Sequence, residues 1–138
     1  MGDTLWSFNQ VQKPMNCPKC QASFEDVEYA GIHVKRCSDC RGLFFTLLDH
    51  EHLKSIEGSE SIDIGDAQVG KQMRSMHAID CPECSSRMIP MVDRQQPHIW
   101  YEACTSCYGV FFDAGEFTDY KEITVLDFFR DLFANERT

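Results

Sequence analysis

Apolar positions follow two different periods along this chain of 138 residues. Two short runs alternate as half-buried strands do, Ile32-His33-Val34-Lys35 and Ile99-Trp100-Tyr101-Glu102. Turn residues precede each, at Ala30-Gly31 and across 93–98, so each run reads as one arm of a hairpin. Downstream of each stands a bulky pair, Phe44-Phe45 and Phe111-Phe112, expected to give each half a small apolar plug. From Thr118 the period becomes helical, with Thr118 or Asp119 able to cap the first turn. Val125, Leu126, Phe128, Phe129, Leu132 and Phe133 fill one broad arc of that helix, and Asp127, Arg130, Asp131 and Ala134 lie opposite. Such an arc either packs on the rest of the chain or serves self-association or a partner protein. Phe111 and Phe112 join Phe128, Phe129, Leu132 and Phe133 as candidates for this apolar surface, which closes the core or meets a partner. Residues 57–76, punctuated by Gly58, Gly65 and Gly70, read as a flexible linker, looped or loosely helical. The first 14 residues carry Trp6 and Phe8 on a polar arm expected to cover part of a module.

The cysteines add the strongest signal. All eight fall in C-x-x-C pairs: Cys17/Cys20, Cys37/Cys40, Cys81/Cys84 and Cys104/Cys107. The intervals within each half, 16 and 19 residues, suit a hairpin that brings two knuckles to one metal. Four thiolates fill a tetrahedral Zn²⁺ sphere and leave no open position, which implies a structural metal rather than a Lewis acid. Two Zn²⁺ ions are expected, one per quartet. Zinc is favoured over iron, although sulfur ligation alone does not separate them.

The halves are repeats. Cys37-Ser38-Asp39-Cys40-Arg41-Gly42-Leu43-Phe44-Phe45 aligns at an offset of 67 with Cys104-Thr105-Ser106-Cys107-Tyr108-Gly109-Val110-Phe111-Phe112. The first knuckles, Cys17-Pro18-Lys19-Cys20 and Cys81-Pro82-Glu83-Cys84, align at 64. A repeat of this kind favours consecutive, self-contained sites over an interleaved cross-brace. Pro18 and Pro82 pre-set φ inside the knuckle. Gly42 and Gly109 stand where the chain turns sharply, and a positive φ is expected there. The reading is a small metal-stabilised α+β chain, two tandem zinc ribbons and a C-terminal amphipathic helix. Its parts are an arm over 1–14, ribbons over 15–56 and 77–120, a linker over 57–76 and a helix over 121–138.

The segment Cys107-Tyr108-Gly109-Val110-Phe111-Phe112-Asp113-Ala114-Gly115-Glu116-Phe117 resembles the C-x-G-V-W-L-D-x-G-E-L tail of the TFIIB-type zinc-ribbon family, with Phe at its Trp and both Leu positions. Cys81-Pro82-Glu83-Cys84 fits the family's C-P-x-C knuckle. The first half departs after Phe45, where Thr46-Leu47-Leu48-Asp49-His50 replaces D-x-G-E-L. The resemblance implies zinc binding and a ribbon fold, and no settled activity.

Charge narrows the partners. The formal net charge is −9, and two four-thiolate zinc sites would take it to about −13. Lys13, Lys19, Lys35, Arg36 and Arg41 form the one basic cluster, offset by acids including Glu25, Asp26 and Glu28. Nucleic-acid or transcription-machinery binding is thus the alternative to a protein-interaction or adaptor role, disfavoured by charge. A thiol redox sensor or rubredoxin-like iron protein is a second alternative. No export signal and no long apolar stretch stand in the chain, so a cytoplasmic, reducing setting without membrane contact is expected. His50, His52 and His77 are expected at the surface, and Asp113 and Glu116 as helix-capping acids rather than catalysts. No catalytic constellation is legible, and no enzymatic activity is expected.

Overall fold

The computed structural model describes residues 15–76, 78–92 and 99–121. The first hairpin joins β1 (Phe24–Tyr29) to β2 (Ile32–Cys37). Its turn residues Ala30 and Gly31 have φ of 52° and 81°, the two positive values that let a tight turn follow the strands' twist. β3 (Leu43–Phe45) returns against β2. The second half repeats the pattern with β4 (Met88–Val92), β5 (Trp100–Cys104) and β6 (Val110–Phe112).

The halves do not stand apart. β3 pairs antiparallel with β6, giving one six-stranded sheet in the order β1-β2-β3-β6-β5-β4. In this junction Phe44 faces Phe111, Leu43 faces Phe112 and Phe45 faces Val110. Because Phe44 and Phe111 are repeat equivalents, the two ribbons are related by a local two-fold at the centre of the sheet.

Both central strands are buried throughout, which explains why their sequences are unbroken apolar triplets rather than alternating ones. Leu43, Phe45, Val110 and Phe112 belong to one apolar cluster, with Leu53, Ile62, Ile99, Phe117 and Tyr120. Phe44 and Phe111 point the other way, into a cluster that holds Cys17, Cys37, Cys40, Cys81 and Cys104. Phe111 and Phe112 are 0% exposed, so of the two roles offered for them they close the core. The neighbouring ribbon covers them, so they present no partner surface. Phe128, Phe129, Leu132 and Phe133 lie outside the described residues.

The segment between the ribbons is ordered and packed, not a loose tether. After α1 (Asp49–Lys54), it forms a 3₁₀ turn, Ser59–Ile62, and α2 (Ala67–Arg74). Val69 and Met73 of α2 pack against the cysteine-side cluster. Gly70 lets α2 lie on the backbone of Ala114, where an added Cβ would stand 2.0 Å from the carbonyl oxygen. The glycines that read as flexibility are sites of close approach.

His50 departs from its surface assignment. It shares the inward face of α1 with Leu53 and is 7% exposed, ringed by Phe45, Tyr101, Phe112 and Tyr120 at centroid distances of 6.1–6.2 Å. His52 is exposed as expected, and His77 lies outside the described residues. Among the described residues no helix is long and apolar enough to cross a membrane.

Candidate metal centres

Each quartet is assembled from two knuckles, and all four are built alike. The first cysteine's amide donates to the carbonyl five residues on: Cys17 to Ala22, Cys37 to Gly42, Cys81 to Ser86 and Cys104 to Gly109, at 2.7–2.8 Å. Closing so tight a loop needs one left-handed residue. It is the fourth after the first cysteine in every case: Gln21, Arg41, Ser85 and Tyr108, with φ between 65° and 68°.

The expected positive φ at Gly42 and Gly109 therefore falls one residue earlier, on Arg41 and Tyr108. Glycine is needed next door for space. An added Cβ at Gly42 would stand 2.2 Å from the Phe111 ring, and one at Gly109 would stand 2.5 Å from the Phe44 ring. The two-fold makes these one interaction seen twice.

Cys17, Cys20, Cys37 and Cys40 form one group and Cys81, Cys84, Cys104 and Cys107 the other, the sulfurs within each lying within 4.8 Å of one another. All eight thiols are free of disulfides. Cross-knuckle separations are 3.7 Å for Cys17–Cys40, 3.3 Å for Cys20–Cys37, 3.5 Å for Cys81–Cys107 and 3.3 Å for Cys84–Cys104. Tetrahedral zinc with Zn–S bonds of about 2.3 Å sets sulfurs about 3.8 Å apart, so each quartet fits one ion with small outward adjustment. Backbone amides already point at sulfur: Lys19 to Cys17, Asp39 to Cys37, and Ser106 and Cys107 to Cys104, at 3.3–3.5 Å. These donors would stabilise thiolate charge.

The quartets differ in exposure. Cys17, Cys37 and Cys40 are buried in the first, whereas Cys84 of the second is exposed. Burial raises the Cys37 thiol to about 11, while the Ser86 hydroxyl and amide beside Cys84 hold it down to about 6.

Between the quartets lies an ion cluster that the sequence did not announce. Lys19, in the first knuckle, has a fully buried ammonium 2.9 Å from Asp113 and 3.2 Å from Glu102, both in the second ribbon. It also donates to the Met73 carbonyl of α2 at 3.2 Å, and so ties three elements together. Glu102 carries the strain of this arrangement: burial lifts its carboxyl to about 7 despite Lys19.

Asp113 and Glu116 thus both serve as ion-pair partners. Glu116 meets Arg74 of α2 at 2.7 Å. The helix beginning at 116 is capped from a distance by Asp63, which accepts from the Gly115 and Thr118 amides and the Thr118 hydroxyl at 2.9–3.0 Å. The cap assigned to Thr118 or Asp119 is displaced because the helix starts two residues earlier. Lys121 secures its other side to Ser59 and Glu60.

The remaining described cations of the basic cluster are also engaged. Arg36 and Arg41 share Glu25 at 2.6 and 3.1 Å, and Lys35 meets Asp26 at 3.4 Å. Lys13 lies outside the described residues.

No curated protein and no solved structure matches the chain. A family model, described as a transcription factor zinc-finger of the TFIIB zinc-ribbon type, matches residues 16–56 and 80–123, once over each four-cysteine module. With more than half its length accounted for in two consecutive copies, the chain belongs to the TFIIB-type zinc-ribbon family.

Proposed function

We propose that the chain binds two Zn²⁺ ions as structural centres and acts as a rigid protein-interaction or adaptor module, not as a nucleic-acid binder or an enzyme. The observation that carries the reading is what the cations do. Lys19 is buried against two carboxylates, and Lys35, Arg36 and Arg41 each have an acidic partner. Phosphate-backbone binding draws on cations free to displace counterions. A chain of net charge −9, with the described cations of its basic cluster internally paired, has few to offer. The closed four-thiolate sets support a structural metal, since no ligand position is left for substrate or water.

Elemental mass spectrometry on the purified protein, with light-scattering mass on the same sample, tests the metal assignment. Two zinc atoms per chain are expected, and iron would replace this reading with the electron-carrier one. Anisotropy titrations with labelled DNA and RNA test the partner class. Tight binding that weakens steeply with salt and with charge reversal at Lys35, Arg36 and Arg41 would overturn it.

A further inference from the structure

The two-fold relating the ribbons matches the surfaces of one half with those of the other, and among the described residues one such pair is covered on one side only. In the second half the linker lies over Ala114 and Gly115: an added Cβ at Gly70 would stand 2.0 Å from the Ala114 carbonyl oxygen, and one at Gly115 2.9 Å from the Ala67 Cβ. Arg41 borders the same surface, because an added Cβ at Gly65 would stand 2.5 Å from the Arg41 Cβ and 2.6 Å from that of Ala114.

The offset of 67 carries Ala114 onto Leu47, Gly115 onto Leu48 and Arg41 onto Tyr108. The counterparts are large and apolar, and they are open: Leu47 is 63% exposed, Leu48 51% and Tyr108 60%. Leu48 keeps the left-handed backbone of its glycine equivalent, with φ 65° against 88°, and Leu47 beside it has φ 29°. A leucine rarely adopts that conformation, and hydrating its side chain offsets none of the strain. Strain and apolar exposure on the same residues mark a surface that something covers.

We propose that residues 1–14 cover the Leu47–Leu48–Tyr108 patch, as residues 65–74 cover its two-fold mate. Chain order supports this occupant. The covering segment of the second half runs on into Ile79, buried in the cysteine-side cluster, and then into the bridge of Asp80 with Arg87. Met15 packs on the same cluster and Asn16 bridges Ser23, which are their equivalents at the offset of 64. The chain therefore enters both ribbons by the same route. Counting back 64 from 67–74 gives residues 3–10, which carry Leu5, Trp6 and Phe8. Where the second half sets Ala67 and Gly70 against Ala114 and Gly115, the first would set large side chains against large ones.

The test uses the full metal-loaded chain with labelled leucine methyls. Nuclear Overhauser contacts are expected between the Leu47 and Leu48 methyls and the rings of Trp6 or Phe8. A Leu48→Gly variant relaxes the backbone while removing the apolar side chain. In a Trp100→Phe background it should raise acrylamide quenching of Trp6 severalfold. Methyl contacts to the rings of residues 122–138, contacts only between differently labelled copies, or no contact together with unchanged quenching would each overturn the proposal.

Discussion

Gly42 and Gly109 show how little room the junction leaves. Each sits against the phenylalanine ring of the opposite ribbon, so a methyl group forces that ring off its rotamer or the strands apart. Gly42→Ala and Gly109→Ala are each expected to destabilise the fold by about 1–3 kcal/mol, read by chemical denaturation of the metal-loaded protein. A double variant with Phe111→Leu should recover part of the Gly42→Ala loss. The glycines were visible in the repeat, but their reason was not, because the rings that need the space lie 69 positions downstream of Gly42 and 65 upstream of Gly109. The ligands were fully legible, since thiolate chemistry and C-x-x-C spacing need no tertiary knowledge. Their inequality was not. Cys84 is the exposed ligand, so a chelator or thiol reagent is expected to strip the second site before the first. Mass spectrometry of the partly reacted protein should find the label on Cys84 ahead of Cys17, Cys37 or Cys40.

Among the elements, one arm of each hairpin followed from alternation and turn chemistry, and the structure places β2 and β5 on those runs. The linker did not. Its apolar stripe is short, Val69 and Met73 amid Gly, Ser and acidic residues, and much of its order comes from contacts made elsewhere: Gly70 on Ala114, Arg74 on Glu116 and Asp63 on the amides of Gly115 and Thr118. Asp63 is thus a helix cap more than 50 residues from its helix in sequence, beyond the reach of any local capping signal. Asp63→Ala is expected to cost about 1–2 kcal/mol, with Asp63→Asn milder because an amide oxygen still accepts. Hydrogen exchange at Thr118 should speed up in the alanine variant while strand amides stay protected.

For the whole molecule, two buried ionisable groups pull the pH dependence in opposite directions. Burial holds His50 below its ordinary value, so in the acid range the unfolded chain takes the proton first. That term removes stability as pH falls through about 6.5. Glu102 works the other way. Its carboxyl is lifted to about 7, so the native state keeps a proton that the unfolded chain has lost, and stability falls as pH rises from about 4.5 to 7. His50→Phe should flatten the acid side of the profile and Glu102→Gln the neutral side, measured as denaturation midpoints at fixed free zinc. Neither residue was legible as buried, because the rings around His50 and the ammonium beside Glu102 come from both halves. The centre of the sheet carries a further consequence. A strand meeting its own repeat across a two-fold has the geometry of a homodimer interface. Here one covalent chain supplies both subunits, so the pairing takes place at the effective concentration set by the tether and survives dilution. The same self-complementarity lets two crowded chains trade ribbons, each β3 accepting its neighbour's β6 without the loss of a single native contact at the junction.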